Sequence, residues 1–89
     1  MLNINIMRKL ISKETSKLLK EFLSIEDYNN ISKKTGLRQS TIATIVKRER
    51  YLTKINCIAL EHLLECLKHR MIEKRKEIDR NLLKILNLK

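Results

Sequence analysis

"YNNISKKTGLRQSTIATIVK", residues 28–47, contains the only glycine of an 89-residue chain that has no proline. The break at Gly36 falls between two segments that each have helical apolar spacing. Asp27 reads as the N-cap of a helix over Tyr28 to Thr35 with Ile31 pointing inward. Glycine takes the left-handed conformation cheaply, so Gly36 ends that helix and lets Leu37 turn back onto the core. A further helix follows from about Gln39 to Arg48, with Ile42, Ile45 and Val46 on one face. Two short helices joined by a three-residue turn around a glycine form a helix-turn-helix.

Working outward, the rest of the chain also reads as helix. Upstream, Leu2 to Leu23 carries apolar residues at Ile6, Met7, Leu10, Ile11, Leu18, Leu19, Phe22 and Leu23, with Ser12, Thr15 and Ser16 offering a break between two short helices. Downstream, Thr53 is an N-cap for a helix that meets no breaker from Lys54 onward. Its stripe of Leu60, Leu63, Leu64, Leu67, Met71, Ile78, Leu82 and Ile85 has helical period. The first four complete a helix-turn-helix core, whereas Met71, Ile78, Leu82 and Ile85 lie beyond its reach and are close to heptad spacing. Between them "KHRMIEKRKEIDR" is densely charged, either a solvated helix or a turn into a separate fifth helix. The apolar end is read as a dimerisation element, with folding back onto its own chain as the competing arrangement. The expectation is an all-α bundle of four to five helices, with a DNA-binding domain over 1–69 and a C-terminal dimerisation helix over 70–89.

Composition narrows the class. A hydrophobic content of 43% with 34% charged residues is the balance of a folded chain, and with 3% aromatics the core must be aliphatic. Twenty Lys and Arg against ten Asp and Glu give +10, the electrostatic footprint of a polyanion binder. No stretch has the apolar length of a signal peptide core or a spanning helix, so no membrane is expected and the cytoplasm is the expected location. Cys57 and Cys66 lack CxxC spacing and suit reduced thiols.

Over residues 28–47 the chain resembles the helix-turn-helix of the Cro/CI-type (XRE-like) regulators of bacteria and their phages. The likeness rests on Ile31, Ser32, Gly36, Leu37, Ile42 and Ile45, and on the Gly-Leu-x-Gln-Ser-x-Ile wording of "GLRQSTI". With flanking helices it covers about residues 13–68. It departs where the family often has a Ser or Thr cap (here Arg38), and where glycine and proline often follow the recognition helix (here Arg48 and Leu52). The resemblance implies a regulator of phage or mobile-element type, and it places the Tyr28 hydroxyl against a DNA phosphate.

Independently of any family, the exposed residues at the start of the third helix are Gln39, Ser40, Thr41 and Thr44. Such short or amide side chains let a helix sit deep in the major groove, and they are the candidates for reading base edges. Around them Lys33, Lys34, Arg38, Lys47, Arg48, Arg50 and Lys54 face a single acid, Glu49. Arg38, Lys47, Arg48, Arg50 and Lys54 are the candidate phosphate contacts, joined by Tyr28 as the resemblance implies. A homodimer would engage two half-sites of a pseudo-palindromic operator about one DNA turn apart. His62, Cys66 and His69 share one helix face but lack a fourth ligand at zinc-site spacing, so no metal is expected. No phosphate loop, HExxH or nucleophile beside a base is present, so neither an enzyme, a cofactor nor a small-molecule substrate is expected. The expected function is sequence-specific binding of double-stranded DNA by a transcriptional regulator, a repressor in preference to an activator. The alternatives are an antitoxin-like protein whose last helix grips a different partner, and an RNA binder, disfavoured because Phe22, Tyr28 and Tyr51 are the only aromatics.

Overall fold

A computed structural model of the chain describes residues 9–88. Among them are four helices and no strand: α1 (Lys13–Phe22), α2 (Ile25–Thr35), α3 (Gln39–Val46) and α4 (Lys54–Asn87). The fold is the all-α bundle expected. Helices α1, α2 and α3 all pack against α4. Leu19, Ile42, Ile45 and Leu63 are fully buried at the centre, with Ile11, Leu23, Ile31, Val46, Ala59 and Leu67 around them. The core is aliphatic throughout.

Helix starts differ from the sequence reading in two places. Ser12 caps α1 by accepting from Thr15 N–H, so Lys9 to Ser12 are not helical and the expected break falls there. Ser16, read as part of that break, is instead buried inside α1, where its hydroxyl donates to the Val46 carbonyl in the last turn of α3. The expected apolar positions Ile6 and Met7 lie outside the described residues. Helix α2 begins one turn earlier than expected because Ser24, not Asp27, is its N-cap. Asp27 is the other half of a capping box: its carboxylate accepts from Ser24 N–H at 3.0 Å while its own N–H donates to Ser24 Oγ at 3.3 Å.

Gly36 behaves as expected, ending α2 in the left-handed conformation at φ 78°. Helix α3 was expected to reach Arg48 and stops at Val46, with Lys47 as its C-cap. Arg48 N–H bonds to the Ile45 carbonyl and Glu49 N–H to the Thr44 carbonyl, the paired bonds of a Schellman motif. The position that glycine usually fills is occupied by Arg48 at φ 63°. Its conformation costs about 1–2 kcal/mol in a residue with a Cβ.

What holds Arg48 there also explains why this loop needs neither a glycine at 48 nor a proline at 52. Arg48 Nε donates to the Ile11 carbonyl at 2.6 Å, and Leu52 N–H donates to the Lys9 carbonyl at 2.8 Å. A proline at 52 would have no N–H to give. These two bonds fasten the non-helical Lys9–Ile11 segment across the loop after α3. Arg48→Ala keeps the strain and loses the bond, so it should destabilise the fold by about 2 kcal/mol. Arg48→Gly should recover about 1 kcal/mol of that loss by relieving φ. Urea unfolding of the two variants measures the difference, and an alanine variant as stable as the glycine variant would contradict the account.

Thr53 caps α4 by accepting from Asn56 N–H at 3.1 Å, as expected, and the buried Asn56 side chain donates to the Tyr51 carbonyl at 2.9 Å. The helix then runs unbroken for 34 residues, so no separate fifth helix exists. Its buried face is Asn56, Ala59, Leu63 and Leu67. Leu60 is half-buried against that core, but Leu64 is 42% exposed and does not complete it as expected. Beyond Leu67 every residue to Leu88 is exposed, so the tail does not fold back onto the described chain. Leu64, Met71, Ile78 and Ile85 instead fall every seven residues along one open side of the helix.

Candidate nucleic-acid interface

The turn between α2 and α3 is braced by side chains. Thr35 Oγ1 donates to the Ile31 carbonyl at 2.8 Å and accepts from Leu37 N–H at 3.3 Å, while the Ser32 hydroxyl donates to the Leu37 carbonyl. With Ile42, Ile45 and Val46 buried, this bracing fixes which side of α3 faces outward. Arg38 supplies no side-chain cap to α3, and the first turn of the helix holds no acid. The helix tip therefore keeps its N–H groups and its positive dipole end available to an anion.

Gln39 and Ser40 are exposed at that tip, and Thr41 and Thr44 are half-exposed. Helical spacing places Ser40, Thr44 and Lys47 opposite the buried face, with Gln39 and Ala43 along one edge and Thr41 along the other. The Thr44 hydroxyl is committed locally: it donates to the Thr41 carbonyl at 2.7 Å and accepts from Arg50 Nε at 2.9 Å. Its methyl is the part left for a base. The same bond lays Arg50 over the outward face of α3, and its terminal guanidinium nitrogens make no bond among the described residues.

The other cationic candidates divide by what already holds them. Arg38, Lys47 and Lys54 are exposed and enter no ion pair among the described residues. Arg48 is half-buried, its Nε spent on Ile11. Tyr28 is half-buried, with its hydroxyl 3.4 Å from the Leu19 carbonyl, a long bond that leaves oxygen lone pairs unused. Burial and the neighbouring Asp27 charge push the Tyr28 phenol above its ordinary value, so it stays a donor.

Two features of this surface were not read from the sequence. Lys13, Lys17 and Lys20 of α1 line a groove whose other wall is Lys47 and Arg48, with Ser16 between them. The spacing i, i+4, i+7 was the available signal, but nothing in the sequence says that this face of α1 meets the end of α3. The groove continues past Lys20 and Lys47 to Ser24, Ile25, Tyr28 and Ala43.

The second is a latch between α2 and α4. Buried Asp27 accepts from Arg70 Nη2 at 2.6 Å and from Arg70 Nε at 3.2 Å, a bidentate pair, while Arg70 Nη1 reaches Glu73 at 3.0 Å. The Arg70 hydrogen bonds hold the Asp27 carboxyl below the usual carboxylate value, against the opposing effect of burial.

His62, Cys66 and His69 line a shallow groove beside this latch, and His69 Nε2 lies 3.1 Å from Glu65 on the exposed surface. Burial pushes the Cys66 thiol up. Among the described residues no three His, Cys, Asp or Glu side chains converge on a possible metal position. No helix of the described residues is long and apolar enough to cross a membrane. No family model, curated protein or solved structure matches the chain.

Proposed function

We propose that this chain is a sequence-specific double-stranded DNA-binding regulator that reads the major groove with α3 and acts as a homodimer through the tail of α4. The observation that carries the reading is the short outward face of α3. Neutral Gln39 and Ser40 stand at an uncapped, acid-free helix tip with Thr44 further along the same face, and exposed Arg38, Lys47 and Arg50 flank them without acidic partners. Short side chains allow close approach to base edges, and the cations answer phosphates. The resemblance to Cro/CI-type regulators supports the same reading, and makes repression by promoter occlusion, in a phage or mobile element, the favoured form.

In this reading Gln39 pairs with a base through two hydrogen bonds, as an amide does with adenine. Gln39→Ala should relax the preference at one base position and cost about 1–3 kcal/mol on the cognate site, with little change on random DNA. Equal loss on all sequences, measured by fluorescence anisotropy, would contradict base reading. The proposal as a whole is tested by selecting bound duplexes from a random pool at about physiological salt, where weak phosphate binding is suppressed. Enrichment of a palindrome is expected; a pool that stays random would overturn the reading.

A second reading has one observation in its favour. The exposed apolar residues at the end of α4, including Leu82, Leu83, Ile85, Leu86 and Leu88, suit a groove on a different protein as well as a second copy. In that case the tail binds a partner, as in an antitoxin, and the helix-turn-helix regulates its own operon. Purified chain that stays monomeric at micromolar concentration would favour it.

A further inference from the structure

Most cations on a folded surface sit among acids, yet the groove between α1 and the end of α3 is lined by Lys13, Ser16, Lys17, Lys20, Lys47 and Arg48 and holds no carboxylate. None of the ion pairs among the described residues involves any of these groups. Lys13 also occupies the first turn of α1, where the helix dipole disfavours positive charge. The fold therefore gathers like charges at a cost that no acid in the groove offsets, and it does so rigidly. The buried Ser16 hydroxyl, donating to the Val46 carbonyl, seats α1 directly on the last turn of α3.

The position of the groove relative to α3 gives it a ligand. Gln39 and Ala43 lie along one edge of the helix, and Lys47, its C-cap, follows four residues on, turned from that edge toward the outward face. Ala43 and Lys47 also form a wall of the groove's continuation toward Tyr28. A duplex that receives Gln39 in its major groove must carry one sugar–phosphate strand past that edge. Lys13 to Lys20 cover about 10 Å of helix axis, which matches about three phosphate-to-phosphate steps at 3.4 Å of rise per strand.

We infer that the Lys13, Lys17 and Lys20 face of α1 is a DNA backbone clamp that, with Lys47, grips the phosphodiester strand bordering the groove read by α3. The inference rests on the DNA-binding reading above and extends it to a helix outside the helix-turn-helix. A clamp of this kind adds affinity for every sequence and sets the depth and tilt at which Gln39 meets the bases, without itself discriminating among them.

The test uses the full chain and a labelled random-sequence duplex, with binding followed across a salt series. Changing Lys13, Lys17 and Lys20 together to glutamine removes charge while keeping good helix formers, and the exposed sites should leave the thermal melt unchanged. The plot of log affinity against log salt should become shallower by about two to three units in the triple variant and by about one in Lys17→Gln alone. The shift should be the same on a selected site, whereas Gln39→Ala should leave the slope as it was. If wild-type chain binds the duplex and the lysine variants keep its slope, the clamp is wrong and the DNA-binding reading stands. If wild-type chain binds no duplex, the reading falls and the clamp falls with it.

Discussion

Ile78→Asp combined with Leu82→Asp is expected to make the chain monomeric and to weaken operator binding by a factor of about 10²–10⁴, the advantage that joining two reading heads confers. Both residues are 53% exposed and touch nothing in the core, so the melt of the helix-turn-helix should survive the change. In a dimer the same side chains are worth about 1.5–3 kcal/mol each when covered, and a carboxylate in an apolar seam is strongly disfavoured. In the proposed dimer the seam follows Leu64, Met71, Ile78 and Ile85, flanked by a second row in which Leu82 is apolar and Lys68 and Arg75 are charged. Side by side in parallel, two tails place Lys74 of one near Asp79 of the other and keep both reading heads at one end. Running antiparallel, they would send the heads to opposite ends, too far apart for adjacent half-sites. Sedimentation of the double variant, together with its binding to single and paired half-sites, checks the claim. A variant that remains dimeric, or one that binds paired sites as well as wild type does, would refute it.

Asp27→Ala is expected to destabilise the fold by about 2–4 kcal/mol, as much as truncating a core leucine. It removes a helix cap worth about 1 kcal/mol and hydrogen bonds to a charged group worth about 1.5–3 kcal/mol. That is a large share of the roughly 5–15 kcal/mol by which a folded domain is stable. The carboxylate is only 4% exposed, and without it the capping box of α2 and the tie to α4 are lost together. The pH dependence follows from the direction of its titration. The folded value is lowered, so the stabilising contribution is fully present above the unfolded value of about 3.9 and is lost as pH falls through the lower folded value. Wild type should therefore lose stability below about pH 4 more steeply than Asp27→Asn, whose neutral amide cannot titrate. Chemical denaturation across the acid range gives both slopes. Parallel slopes would mean that the Arg70 pair does not shape the acid limb.

The parts of the molecule legible in the sequence were those fixed by local chemistry. Gly36 needs only its missing Cβ to end α2, and Thr53 needs only its hydroxyl to start α4. Asp27 was legible as a helix-start residue but not as the third residue of α2, because Ser24 could do the capping and Arg70, 43 positions away, could hold the carboxylate. Arg48 was illegible as a left-handed residue because the bond to Ile11 that helps to offset its strain comes from 37 positions away. Leu64 was placed in the core because a periodic stripe does not say where neighbouring helices stop covering it. At the candidate site, Gln39, Ser40 and Lys47 could be placed outward from the apolar pattern of α3 alone. The lysines of α1 could not, since their relevance depends on Ser16 seating one helix against another.

The unbroken course of α4 gives its two ends a fixed angular relation. The residues that anchor the reading head, Asn56 to Leu67, and those that open to the outside, from Leu64 to Ile85, belong to one rod without a hinge. A pairing made at the far end is thus transmitted as a rotation of the head about the rod axis. Adding one residue midway would turn the head by about 100°, whereas adding seven would return it to within about 20° of its original bearing. In the proposed DNA-binding dimer the tail would behave as a crankshaft, its length in residues, counted in sevens, setting the bearing at which α3 meets DNA.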